Sequence, residues 1–176
     1  MQKDEQQRVF DGWLRNHQGL FFKIVRAYAF TPQDQEDLFQ EIATQVWRSI
    51  PGFRGDAAVT TWIYRVALNA AITWTQKERR HRAGKQGLDG VEPAILQASP
   101  ATDPRVEWLY EQIRQLDEID RSLTLLLLDG FSYKQMAAMM LGITENYVGV
   151  KINRIKAHLT GAHLAGKSRE EIGDGV

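Results

Sequence analysis

Four basic side chains crowd into the hexapeptide KERRHR (residues 77–82), where Lys77, Arg79, Arg80 and Arg82 meet a single acid, Glu78. Upstream, Arg65, Asn69 and Gln76 recur at spacings that set them along one side of a helix. Guanidinium, ammonium and amide groups in such a row suit contact with a phosphate backbone. Ahead of them stands the loop Phe53-Arg54-Gly55-Asp56, followed by Thr60 and Thr61. A glycine there lets a backbone approach a ligand closely. A second basic tract runs from Asn146 to Arg169, with Lys151, Arg154, Lys156, Lys167 and Arg169 and no acid. Asn and Arg read base edges in a major groove, and Lys and Arg neutralise phosphate. On residue types alone, an ordinary solvated face of a helical bundle stays open for each tract.

These tracts matter because the chain as a whole is neutral, with 22 basic and 22 acidic residues in 176. Any nucleic-acid function must therefore rest on segregated charge. The acidic counterpart lies between Thr31 and Trp47, where Asp34, Glu36, Asp37 and Glu41 occur with no base among them.

Catalysis finds little support. The chain has no cysteine, which excludes a disulfide framework, a thiolate zinc site and a cysteine nucleophile, and suits a reducing cytoplasm. His17, His81, His158 and His163 are scattered, and five residues separate the last two where one helix face requires three or four. Asp34 with Asp37, and Asp37 with Glu41, share helical spacing but lack a nucleophile, metal set or phosphate loop. The chain is expected to be no enzyme and to hold neither cofactor nor metal. MQKDEQQRVF carries charge where a signal peptide is apolar, and no apolar run nears the ~18 residues of a membrane span.

The elements that position these groups read as helices throughout. Thr31-Pro32 opens one with an N-cap and a first-turn proline; Leu38, Ile42, Val46 and Ile50 line it, and Pro51-Gly52 stops it. Another is expected to start near Asp56 or Ala57, with Val59, Trp62, Ile63, Val66, Ala67, Ala70 and Trp74 buried. Its outward face then holds Thr61, Tyr64, Arg65, Leu68, Asn69, Ile72, Gln76 and Arg79. Trp62 is expected in the core, and a neighbouring helix or partner to cover Leu68 and Ile72. Phe10 to Phe30 reads as one or two helices with a break near Gly19.

Between Gly84 and Pro104 fall three of the 14 glycines and three of the five prolines, the texture of a flexible linker. Beyond it, Asp103-Pro104 starts a helix lined by Val106, Leu109, Ile113 and Leu116, and IDRSLTLLLLDG forms another ending at Gly130. Ser132 and Gln135 have capping-box spacing for a short helix to about Met140. Gly142 makes a turn, Thr144 caps the last helix, and Val148, Ile152, Ile155 and Leu159 face inward. Short helix, glycine turn and longer basic helix form the pattern of a helix-turn-helix. The fold class is thus all-α, with two small helical domains. The expected boundaries are 1–82, a linker at 83–103, 104–165 and a tail at 166–176.

EDLFQEIATQVWRSIPGFRGDAAVTTWIYRVALNAAITWTQKERR (residues 36–80) closely resembles region 2 of bacterial sigma factors of the extracytoplasmic-function (ECF) group of the sigma-70 family. LDEIDRSLTLLLLDGFSYKQMAAMMLGITENYVGVKINRIKAHL (residues 116–159) resembles their region 4, in the right order with a variable linker between. The resemblance implies a promoter-specificity subunit that binds core RNA polymerase, promoter DNA and, as the group commonly does, an anti-sigma factor. Asp37, Gln40 and Glu41 match the surface that docks on the clamp helices of the largest polymerase subunit. Phe53, Arg54, Gly55, Asp56, Thr60 and Thr61 match the part that captures an unstacked base of the −10 element. Arg65, Asn69, Gln76, Lys77, Arg79 and Arg80 stand where region 2 follows the upstream duplex. Thr144, Asn146, Tyr147, Lys151, Arg154 and Lys156 fall in the helix that reads the −35 element, and Lys134 adds a phosphate contact.

This chain departs from the commoner core of that last helix, reading Tyr147-Val148-Gly149-Val150-Lys151, and carries one more residue than usual before Gly142. Two other readings compete with the one implied. A sigma-like decoy that titrates an anti-sigma factor would not need basic DNA faces. A stand-alone helix-turn-helix regulator would bind duplex without polymerase and would have no use for the FRGD loop.

Overall fold

A computed structural model describes residues 3–84, 103–140 and 142–173. Helices account for the regular structure, and no strand occurs among the described residues. The chain divides into two compact units, Met1–Asp103 and Pro104–Val176. The first holds α1 (Lys3–Asn16), α2 (Gln18–Tyr28), α3 (Pro32–Ser49), a 3-10 turn at Ile50–Gly52 and α4 (Val59–Gly84). The second holds α5 (Pro104–Gln115), α6 (Glu118–Leu128), α7 (Tyr133–Met139) and α8 (Glu145–Gly173). Of the expected linker, residues 85–102 lie outside the described residues, and residues 83 and 84 belong to α4. The expected tail is α8 as far as Gly173, and 174–176 lie outside the described residues.

Local chemistry sets most helix ends. The Thr31 hydroxyl accepts from the Asp34 N–H at 3.1 Å, with Pro32 in the first turn. Such a cap is worth about 1 kcal/mol. The α1–α2 break falls at His17 rather than Gly19, because Gly19 sits inside the first turn of α2. There the early N–H groups have no intrahelical partner, so glycine costs little. Helix α4 begins at Val59, two or three residues later than expected, and the Ala58 carbonyl accepts from the Trp62 N–H.

In the first unit α4 packs against both α3 and α2, around Phe21, Ile24, Leu38, Ile42, Val46 and Ile63, all fully buried. That double contact moves the buried face of α4. Ile63, Tyr64, Ala67, Leu68, Ala70 and Ala71 are buried, while Trp62, Val66 and Trp74 are only partly so. Tyr64 and Leu68, expected outward, are therefore core residues, and Trp62, expected in the core, lies at its edge. One wheel assumes one neighbour; two neighbours widen and rotate the apolar arc. No partner is needed to cover Leu68, because the bundle does so.

The second unit closes around Ile113, Leu123, Leu126, Met136, Val148 and Ile152. Leu159 is partly buried, and Val106 of α5 is 38% exposed, against expectation. Helix α6 ends in a Schellman motif: Phe131 N–H donates to the Leu126 carbonyl, Gly130 N–H to that of Leu127, and Gly130 has φ +79. The capping box at Ser132 and Gln135 is complete, with both reciprocal bonds made. Gly142, at φ +85, turns the chain, and the Thr144 hydroxyl accepts from the Tyr147 N–H at 3.2 Å.

Candidate nucleic-acid interface

Phe53 leaves the 3-10 turn with its N–H donating to the Ile50 carbonyl at 3.0 Å. Its ring does not point outward. It stands edge-on between Trp13 of α1, at a centroid distance of 5.2 Å, and Trp62 of α4, at 5.5 Å. Trp62 Nε1 donates to Ser49 Oγ at 2.9 Å, and that hydroxyl donates to the Val46 carbonyl at 2.8 Å. The Arg65 guanidinium lies 4.5 Å from the Trp62 ring centroid. One end of the loop is thus tied to α1, the end of α3 and the start of α4.

The rest of the loop stands clear of that anchor. Arg54, Gly55 and Asp56 are exposed, as is Thr60, with Thr61 partly buried. Gly55 takes φ +82, with nothing within 4 Å of the place a Cβ would occupy. Glycine is required here by backbone conformation, not by crowding.

Along α4, Arg65 and Asn69 are partly buried, and Gln76, Lys77, Arg79 and Arg80 are exposed. Arg80 Nε donates to the Gln76 carbonyl at 3.3 Å. Asn69 lines a groove between α3 and α4 together with Glu41, Gln45 and Arg48. The structure therefore brings Asn69 of the basic helix beside Glu41 of the acidic one. On α3, Asp37 and Gln40 are exposed and Glu41 is partly buried. Both acids accept from amides one turn away: Gln33 Nε2 to Asp37 at 3.1 Å, Gln45 Nε2 to Glu41 at 2.8 Å.

Sequence reading gave no role to Phe22, 52% exposed and stacked on Phe39 with ring centroids 5.7 Å apart. With Val25, Pro32, Glu36 and Gln40 these rings line a largely apolar pocket. A signal was available: of two successive phenylalanines, 21 and 22, a helix buries only one on a narrow face.

In the second unit Lys134, Thr144, Asn146, Tyr147, Arg154 and Lys156 are all exposed. Lys151, expected to face away from the core, is turned onto α6. Its Nζ lies 2.9 Å from Asp120 Oδ1 and 3.4 Å from Asp117 Oδ2, and its side chain is only 18% exposed. The hydrogen bond to Asp120 raises the ammonium pKa above its ordinary value, outweighing the lowering by burial, with the charges of Asp120 and Asp117 adding to the rise. Asp120 and Asp117 lie more than a helix away in sequence, so helix periodicity within α8 carries no sign of this orientation. Gly149 faces Tyr133, where an added Cβ would meet the ring at 3.7 Å, ordinary contact.

Among the described residues no group of three His, Cys, Asp or Glu side chains is placed to hold a metal. None of their helices is long and apolar enough to cross a membrane.

The family model for sigma-70 region 2 matches residues 13–81, from the Trp13 anchor to the basic end of α4. The ECF RNA polymerase sigma-E factor of Escherichia coli K12 is 29% identical over 147 residues, covering 76% of each chain. RNA polymerase sigma-H factor of Pseudomonas aeruginosa is 26% identical, covering 76% of this chain and 75% of its own. Among solved structures, the sigma factor RpoE of Bartonella quintana, in complex with the anti-sigma factor NepR, gives a TM-score of 0.72 at 18% identity over 88% of this chain and 96% of that one. CnrH, in complex with the cytosolic domain of CnrY, gives 0.62 at 21% identity over 90% of each. Residues 13–81 of this chain match sigma-70 region 2, and over about three quarters of its length the chain is similar to sigma factors of the extracytoplasmic-function group.

Proposed function

We propose that the chain binds core RNA polymerase and directs it to promoters, with region 2 at residues 1–82 and region 4 at residues 104–165. Asp37, Gln40 and Glu41 dock on the basic clamp helices of the largest subunit, their charge steering the encounter. The loop from Phe53 to Asp56, with Thr60 and Thr61, accepts a base drawn from the −10 element. Unpairing costs on the order of a few kcal/mol, which a pocket for the extruded base offsets. Arg65, Asn69, Gln76, Lys77, Arg79 and Arg80 track the duplex upstream. Lys134, Thr144, Asn146, Tyr147, Arg154 and Lys156 meet the −35 element, and Lys151 serves there by holding α8 against α6. The two domains raise each other's effective concentration on one promoter.

The observation that carries this reading is the loop itself. Its base is clamped by Trp13, Phe53 and Trp62, while Gly55 holds the tip at φ +82 in open space. A mere connector needs neither feature. The chain acts in the cytoplasm and supplies no chemistry of its own; the polymerase does. An anti-sigma factor as a further partner is supported by the two structural neighbours, each solved in such a complex or with a cytosolic partner domain.

Run-off transcription from genomic fragments, with purified core enzyme and with or without the chain, tests the whole reading. Promoter-dependent transcripts are expected only when both are present. Binding of duplex DNA by the chain alone, with no transcript from the mixture, would reject it.

A further inference from the structure

Helix α8 shows a stripe that its charges alone do not explain. Asn146, Val150, Asn153 and Ala157 recur at intervals of four, three and four residues and are all exposed. At about 100° per residue they point away from Val148, Ile152 and Ile155, the buried face. The stripe carries no charge. Exposed cations flank it instead, Arg154 on one side and Lys156 on the other. Lys151, next to Val150 in sequence, is held by Asp120 and Asp117 and withdrawn from this surface. Val150 is left 45% exposed at the centre, a β-branched apolar side chain where an exposed helix position favours Ala, Lys or Glu.

We propose that Val150 reads the 5-methyl group of a thymine in the −35 element, with Asn146 and Asn153 contacting the base pairs on either side. The inference rests on the proposed −35 role of α8 and assigns its base specificity. In a major groove, thymine is distinguished by its methyl, which apolar side chains contact, and Asn is suited to a bidentate bond with adenine N7 and N6. An apolar centre flanked by cations matches base edges at the groove floor between two phosphate walls. Thr144 and the Gly142 turn place this stripe at the first turns of the second helix of a helix-turn-helix, the part that enters the groove. A protein covering Val150 instead would leave the flanking cations and both asparagines without a use.

Uracil for thymine removes that methyl and nothing else. The test takes a promoter recovered by run-off selection, replaces each −35 thymine by uracil singly, and measures binding by holoenzyme formed from core enzyme and the full chain. Wild type is expected to lose about three- to tenfold at one position, the scale of one buried methyl. Holoenzyme with Val150→Ala is expected to bind the thymine and uracil forms of that position within twofold of each other. Asn146→Ala or Asn153→Ala is expected to keep the methyl sensitivity and to relax discrimination at an adjacent base pair.

No sensitive position in wild type, or equal sensitivity in Val150→Ala, overturns the proposal, while run-off transcription from the same promoter by that holoenzyme leaves the parent reading standing. Loss of all −35 dependence would remove both. Circular dichroism of Val150→Ala separates a misfolded variant from a silent one. Alanine at an exposed helix position is expected to fold as well as valine.

Discussion

The Trp13 ring of α1 meets Phe53 at a right angle, 5.2 Å between centroids, so a helix forty residues upstream holds the base of the Gly55 loop. Edge-to-face pairs contribute about 0.5–1.5 kcal/mol beyond their buried area. Trp13→Ala is therefore expected to lower unfolding free energy by about 1–3 kcal/mol. It should also slow promoter opening, followed by permanganate reactivity of unpaired thymines. Trp13→Phe keeps an aromatic edge and should restore most of both. Opening at the wild-type rate in Trp13→Ala would show that the loop does not depend on its anchor.

Gly55 offers a separation of shape from space. Its surroundings are open, so a methyl group collides with nothing, but φ +82 disfavours a side chain. Left-handed backbone costs an ordinary residue about 1–2 kcal/mol, and asparagine less. Gly55→Ala should reduce opening severalfold with core-polymerase affinity unchanged, and Gly55→Asn should fall between Ala and wild type. Equal loss in the Ala and Asn variants would point to side-chain obstruction of the nucleotide instead of backbone strain.

The acidic face of α3 gives a prediction of opposite pattern. Asp37 and Glu41 accept only from Gln33 and Gln45 of their own helix among the bonds described, so reversal disturbs local amides and not the core. Asp37→Lys with Glu41→Lys is expected to weaken core-polymerase binding at least tenfold, with little change in Tm. Asn69→Ala with Arg79→Ala should do the reverse, impairing opening while core binding holds. Because Asn69 and Glu41 line one groove, crosstalk between the two pairs measures how far the surfaces overlap.

What could be read in the sequence were features settled within a few residues. Thr31, Gly130, Ser132 with Gln135, and Thr144 act through bonds to backbone three to five positions away, and each does so in the structure. Features set by distant contacts escaped. Tyr64 and Leu68 are buried because α2 and α3 both press on α4, a fact outside the α4 sequence. Phe53 packs edge-on between Trp13 and Trp62, contacts set by α1 and α4 that the loop sequence does not show. Val150 lies off the inward stripe of Val148, Ile152 and Ile155, and its 45% exposure depends on where α6 and α7 pack on α8.

Lys151 illustrates the same limit and can be titrated. Asp120 and Asp117 raise its pKa in the folded state, so its contribution is fully present below the unfolded value of about 10.4 and is lost as pH rises through the higher folded one. Lys151→Met should lower stability by up to about 1 kcal/mol at pH 7, and the urea midpoints of variant and wild type should converge above that range. If the ammonium only braces α8, the salt dependence of promoter binding keeps its slope. A slope smaller by about one would mean that Lys151 leaves its acids for a phosphate.

Gly149 is the place where stability and reading part company. Its φ is ordinary for a helix, and an added Cβ would rest 3.7 Å from the Tyr133 ring, a normal van der Waals distance. Glycine there costs the helix up to about 1 kcal/mol against alanine, through the extra backbone freedom of the unfolded chain. Gly149→Ala is therefore expected to raise the urea midpoint by an amount worth about 0.5–1 kcal/mol, without change in the denaturant slope. The new methyl faces α7 and lies off the Asn146–Val150–Asn153 stripe, so −35 discrimination should survive. A destabilised variant would show that α7 and α8 sit too close for a methyl group. A stabilised variant with altered base preference would show that Gly149 sets the angle at which α8 enters the groove.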